Sequence, residues 1–230
     1  MKKKIRNILK FVSGTACALV IGSTVQAGTI SGVSVIDSSQ SVQHWDDVTS
    51  AGLDFNPSSL VDGSGPTSTD PADMWLSRVV YEGEEFGYVL FDLGAAYSLS
   101  GTTIWNYNEV GNTGWGTNGL TISGANEGWE VYPYGGAVGF TEMAALSLSE
   151  APGNDGNTGQ SVALDGAYRY ILFELTSSFN GMKSNTVEYL GLSEVQFQGN
   201  LAQTPVPAAA LMFVPAVVGG AAVARRRRKA

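Results

Sequence analysis

The segment Tyr88–Glu109, YVLFDLGAAYSLSGTTIWNYNE, restricts the fold most: two runs dense in aromatic and β-branched residues, Tyr88–Leu93 and Leu99–Tyr107, flank a Gly94-Ala95-Ala96 corner. Helical spacing is missing and apolar side chains recur with period two, so the pair reads as two neighbouring strands of an all-β domain. Val89, Phe91 and Leu93 point one way, Thr103, Trp105 and Tyr107 share a face, and one face is core. After Tyr107 the apolar pattern stops and a polar, glycine-rich loop begins, Asn108–Gly119, carrying a lone Trp115. Rigid strands position the loops that bind, which makes this loop the first candidate site.

Charge divides the 230 residues into three parts. Residues 1–27 carry Lys2, Lys3, Lys4, Arg6 and Lys10, then the apolar run Phe11–Ile21 and a small-residue end, Val25-Gln26-Ala27. That order is a secretory signal peptide with cleavage expected after Ala27, because the apolar run is too short to span a bilayer. The single cysteine, Cys17, lies inside it, so the exported domain has no disulfide and depends on a packed core or a bound ion. Five more of the 13 basic residues close the chain, leaving Arg78, Arg169 and Lys183 in the middle segment with all 21 acidic residues, a net charge of −18. Such a surface repels nucleic acid and anionic lipid, favours divalent cations and keeps the protein soluble. Residues 28–203 suit one domain.

From Thr204 the composition changes to TPVPAAALMFVPAVVGGAAVARRRRKA. Residues 208–224 form an uncharged apolar stretch of 17 residues, interrupted by Pro215. As a helix it would be about 25 Å long, compatible with a transmembrane segment in a thin bilayer. The Arg225–Arg228 cluster and the N-terminal lysines would stay cytoplasmic, placing the acidic domain outside the inner membrane. With its proline motif Thr204-Pro205-Val206-Pro207-Ala208, apolar span and arginine cluster, residues 204–230 resemble the PEP-CTERM sorting signal of exopolysaccharide-producing Gram-negative bacteria. The Pro-Glu-Pro core of that signal is absent. The resemblance implies a membrane-anchored precursor, recognition by an exosortase, removal of the tail, and release to the cell surface or extracellular matrix.

Within the domain, Thr29–Ile36 reads as a first strand and Asn56–Asp73, rich in Ser, Pro, Gly and Asp, as a long loop. Five pieces carry a second resemblance: LVDGSG at Leu60–Gly65 followed by Met74-Trp75-Leu76-Ser77, then FDLG, IWNYNE, the strand Tyr168–Phe173, and LGLSEVQFQG up to Gly199. In this order they resemble the galactose-binding-like domain of discoidin and the coagulation-factor C-type domains, over roughly Asn56–Asn200. The resemblance implies an eight-stranded jelly-roll β-sandwich, often stabilised by calcium, with ligand loops at one end. By position in that family, Asp62 and Glu194 are the expected calcium carboxylates. Around Glu194 the apolar phase also slips, since Leu190 and Leu192 keep one phase and Val195 and Phe197 the other, which predicts a bulge near Ser193. Solvated carboxylates without a metal remain the alternative.

Other motifs carry less. The single histidine, His44, cannot make a zinc site without a second nitrogen or sulfur ligand. Gly114–Gly119 matches G-x-G-x-x-G, yet the following Leu120–Gly124 reads as a strand, not as the helix that a dinucleotide site needs. Asn154–Gly159 has the look of a calcium loop but lacks the later acidic ligand, so it reads as a hairpin tip. Trp75, Trp105 and Trp129 sit in or beside apolar runs and are expected in the core, and Arg169 is expected to pair with a carboxylate.

Trp115 stands among Asn108, Glu109, Asn112 and Asn118. An aromatic face with amides and a carboxylate is the arrangement that stacks on and hydrogen-bonds a sugar, although a plug over the sandwich end is the competing role. Within residues 28–203 thiol, second histidine, G-x-S-x-G and phosphate loop are all missing, so no enzyme is expected. The expected function is non-catalytic binding of exopolysaccharide or surface glycan; the alternative is a structural matrix or envelope protein that associates through calcium.

Overall fold

The computed structural model describes residues 27–39, 55–80, 87–132, 137–181 and 187–203. Residues 1–26, His44 and residues 204–230 lie outside them, and with them most of the signal peptide and the whole sorting segment. Among the described residues no helix is long and apolar enough to cross a membrane.

Among the described residues eleven strands appear in chain order: β1 (Gly28–Thr29), β2 (Ser34–Ser38), β3 (Trp75–Val80), β4 (Gly87–Asn106), β5 (Thr117–Ala125), β6 (Glu130–Val131), β7 (Ala137–Val138), β8 (Thr141–Ser147), β9 (Gln160–Ala163), β10 (Ala167–Ser178) and β11 (Val187–Leu201). All pairings between them are antiparallel. The first half of β4 pairs with β2 and β10, and β5 and β8 extend that layer. Its second half pairs with β9 and β11, and β11 adds β3 and β1. The result is an all-β sandwich, with β4 running through both layers.

The corner of the initial segment therefore has a different role from the one expected. Tyr88–Leu93 and Leu99–Tyr107 do not pair as neighbouring strands; they belong largely to one 20-residue strand that bends between layers. A tight two-residue hairpin of type I′ needs two consecutive residues at positive φ. Only Gly94 supplies one, at 80°, and its N–H donates to the Asp92 carboxylate at 2.7 Å, so the chain turns a corner and continues. The expected strand Thr29–Ile36 is split into β1 and β2 around Ser31–Val33.

The bend also resets which side chains face inward. Leu99 pairs with Gly199 and Gly101 with Gln198, leaving Ser100 as an extra residue on β4. An inserted residue exchanges the two faces of a strand. Val89, Phe91 and Leu93 are buried before it, and Thr102, Ile104 and Asn106 after it. Trp105 consequently sits partly exposed on the outer face, contrary to its expected core position, whereas Trp75 is fully buried.

The same device operates in β11. Leu192 pairs with Asn106 and Glu194 with Trp105, so Ser193 is the extra residue, as the slip in apolar phase predicted. Leu190, Leu192, Val195 and Phe197 can then all enter one core. Its centre is a triad of edge-to-face rings, with Phe91–Phe173 centroids 5.1 Å apart, Phe91–Phe197 5.3 Å and Phe173–Phe197 5.9 Å, which joins the two layers. Outside the layer that holds β10, Trp129 and Phe140 beside the β6–β7 ribbon cover Tyr88, Leu90 and Leu172.

Candidate functional site

Three loops meet where β4 ends: residues 62–74, 107–116 and 148–159. Asn108 fastens them. Fully buried, it donates through Nδ2 to the carbonyls of Ser68 at 2.9 Å and Asn154 at 2.8 Å, and accepts from Gly153 N–H at 2.8 Å. Asn106, two residues earlier, donates to the carbonyls of Thr117 and Ser149 and accepts from the N–H groups of Tyr107 and Thr117. Buried amides of this kind fix loop backbones that no strand ladder reaches. The expected ligand role of Asn108 therefore gives way to a clamp: its polar atoms are engaged and it has no solvent-exposed surface.

Trp115 ends a single 3-10 turn, Thr113–Trp115. Its ring is partly buried, 5.1 Å from that of Tyr189 and 6.3 Å from that of Tyr107. Together these rings cover a small second core of Phe55, Met74, Leu76 and Tyr107, so Trp115 does plug the sandwich end while keeping an exposed part. Glu109 accepts the Tyr107 hydroxyl at 2.6 Å, and burial together with this carboxylate pushes the phenol well above its ordinary range. Asn112 precedes the turn, and its side chain makes no capping hydrogen bond. Asn118 lies partly exposed in β5, where its carbonyl accepts from Leu148 N–H at 2.7 Å. Glu109, Asn112 and Trp115 thus share one loop, and Asn118 stands beside the end of β8.

Asp62 and Glu194 meet elsewhere. The Ser193 bulge turns Glu194 away from the main core and toward the early loop, where it is 1 % exposed and accepts from Gly63 N–H at 3.2 Å. Burial, the largest influence, and the nearby Asp62 carboxylate raise the Glu194 pKa to about 7, although N–H groups of Gly65 and Gly63 oppose the rise. The loop approaches so closely that a Cβ on Gly65 would lie 2.0 Å from the Ser193 carbonyl oxygen. A buried carboxylate with a second one beside it suits a hard cation in charge and donor type. Among the described residues no group of three acidic, histidine or cysteine side chains gathers around a metal position, so a cation here would draw its other oxygens from backbone carbonyls and water.

Arg169 forms a bidentate pair with Asp92, both contacts at 2.8 Å, and its guanidinium lies 4.9 Å from the Tyr170 ring centroid. Arg169 holds the Asp92 carboxyl below its ordinary value, the hydrogen bonds being the largest influence. This cation is structural. The G-x-G-x-x-G segment leads into β5, as expected, without a helix to face a phosphate.

One feature of this end was not read from the sequence. Between the residues leaving β8, Ser147–Pro152, and those approaching β9, Gly156–Gln160, lies an open groove of about 410 Å³ with Ile104 and Asn106 at its base. The only signal for it was the dense Gly, Asn and Thr content of residues 153–159.

No protein-family profile matches the chain, and no characterised protein matches it by sequence. Solved structures do match in shape. The carbohydrate-binding module CBM32-3 from a family 31 glycoside hydrolase of Clostridium perfringens superposes with a TM-score of 0.52 at 15% identity, over 76% of this chain and 95% of that one. The C-terminal domain of a chitobiase from Bacteroides fragilis gives 0.51 at 8% identity, over 77% and 99%. The chain therefore shares the β-sandwich fold of these two domains.

Proposed function

We propose that the chain is an exported, non-catalytic glycan-binding protein of the cell surface or extracellular matrix. On this reading residues 1–27 direct export and residues 28–203 bind exopolysaccharide or surface glycan through the loop end around Trp115. Residues 204–230 hold the precursor in the inner membrane, through a span at 208–224, until an exosortase-type enzyme removes them. The observation that carries the binding role is the clamped loop end: Asn106 and Asn108 fix three loops from beneath while Trp115, Asn112 and Glu109 stay partly exposed above them. A site organised before its ligand arrives loses less entropy on binding. The expected ligand set contracts to Trp115, Glu109, Asn112 and Asn118.

Asp62 and Glu194 are proposed to hold a calcium ion that ties the early loop to β11. Bound there, the ion would supply only charge neutralisation and cross-linking. Calcium titration followed by thermal melting tests this part, and a melting temperature indifferent to calcium and chelator would refute it. For the binding role, the purified protein is applied to a glycan array beside Trp115→Ala. Retention of a glycan that the variant binds more weakly is expected. Calcium-dependent self-association with no retained glycan would instead favour a matrix or envelope component.

A further inference from the structure

The groove beside the Trp115 turn carries a more specific reading, which rests on the glycan-binding role proposed above. Its two walls are braced against each other: the Gln160 side-chain carbonyl accepts from Ser149 N–H at 3.0 Å, and its amide donates to the Ser147 carbonyl at 3.3 Å. The shape thus exists without a ligand, and its volume of about 410 Å³ lies in the range of small-molecule sites.

Asn157 lies in the lining and is 8 % exposed, yet both contacts of its amide are long. Nδ2 is 3.4 Å from the Asn106 carbonyl, which already accepts the Ser193 hydroxyl at 2.9 Å, and Oδ1 is 3.4 Å from Gly159 N–H. Ordinary N–H···O bonds are shorter, so this nearly buried amide on the groove lining keeps donor and acceptor capacity that its protein contacts do not use fully. Paired donors and acceptors of this kind match vicinal hydroxyls.

The charge of the lining then selects among sugars. Glu150 is its one ionisable side chain, and no lysine, arginine or histidine lines it. Arg169, the cation described elsewhere, is engaged with Asp92. An anionic sugar would enter with no counter-charge, against a net −18 over the middle segment. Glu150 also joins the groove to the aromatic platform, because it accepts the Thr113 hydroxyl at 2.7 Å and Thr113 opens the turn that ends at Trp115.

We infer that this groove seats an uncharged pyranose unit, a hexose or N-acetylhexosamine, hydrogen-bonded by Asn157 and Glu150, and that the protein discriminates against uronate, sialylated and sulfated glycans. The test measures binding of the full chain to paired neutral and acidic oligosaccharides by titration calorimetry at physiological salt. Wild type is compared with Trp115→Ala, Asn157→Ala and Thr158→Trp, the last filling the groove from an exposed position. Neutral glycans should bind and acidic ones should not. Thr158→Trp and Asn157→Ala should each weaken neutral binding by about tenfold or more, the loss expected from a buried contact at the centre of a site. Thr158→Trp should melt like wild type, so its loss cannot come from unfolding. Binding untouched by Thr158→Trp but abolished by Trp115→Ala would overturn the groove assignment alone, and tighter binding of the acidic partner would overturn the charge selection. Absence of binding to every glycan would overturn the glycan-binding role itself.

Discussion

Replacing Asn108 by aspartate changes one NH₂ into an oxygen and almost nothing in shape, which makes it a sharp probe of the clamp. In the native loop end Nδ2 faces two carbonyls, of Ser68 and Asn154, while Oδ1 receives Gly153 N–H. The introduced carboxylate keeps the last bond and sets an acceptor against two acceptors in a position with no exposed surface. Orphaning a buried partner costs about 1–3 kcal/mol, so two orphans together with a buried charge place Asn108→Asp about 3–5 kcal/mol below wild type. For a domain of this size that is a drop of about 10–15 °C in melting temperature. Thermal unfolding by circular dichroism at pH 8 measures it. At pH 4 the deficit should shrink, because a protonated carboxyl can donate to one of the two carbonyls. Asn112→Asp serves as the control: its side chain makes no capping bond, so its change should stay within about 0.5 kcal/mol. A loss of only a degree or two for Asn108→Asp at pH 8 would refute the clamp and return Asn108 to the ligand set.

Three further outcomes follow from the same geometry. Glu194 has its pKa raised to about 7, so in chelator the folded state holds a proton that the unfolded chain releases at lower pH, and stability should fall as pH rises from about 4.5 through 7; Glu194→Gln should flatten that slope in pH-dependent melts. Asp92 is held below its ordinary value, so its contribution is full above about pH 4 and lost as pH falls through its folded value. Asp92→Asn should therefore lower the melting temperature at pH 7, cost progressively less as pH falls below about 4, and have less effect in high salt. Gly65→Ala would press a methyl group into the Ser193 carbonyl and should cost about 3 kcal/mol, measured by denaturant unfolding.

What the sequence disclosed, and what it hid, divides by the range of the interaction responsible. Strand character at β4, β10 and β11 was legible because alternation is a property of adjacent residues. The Ser193 bulge was legible for the same reason, since the phase of the apolar residues slips within eight positions. The bulge at Ser100 was not: the flanking Leu99, Gly101 and Thr102 carry too little apolar contrast to show a slip, and Trp105 was assigned to the wrong face as a result. Whether the Gly94 corner closes a hairpin or bends a strand depends on partners more than 60 residues away, in β10 and β11.

The candidate site shows the same division. Trp115 in a polar loop could be noticed by composition, but its contact with Tyr189 is a long-range one. Asn108 looked like a ligand residue because a buried amide and an exposed one are the same letter; its partners lie at Ser68 and at Gly153 and Asn154. The groove is made by two loops of ordinary composition and acquires meaning only from the brace between Gln160 and residues 147–149.

Affinity electrophoresis of the purified protein through gels cast with neutral polysaccharides, with the same polymers assayed afterward for new reducing ends, puts the binding role to its plainest trial. A non-catalytic glycan-binding sandwich should be retarded in at least one gel, less so as Trp115→Ala, and should leave the polymer intact. Unretarded migration through every polysaccharide, or a steady accumulation of reducing ends, would contradict it.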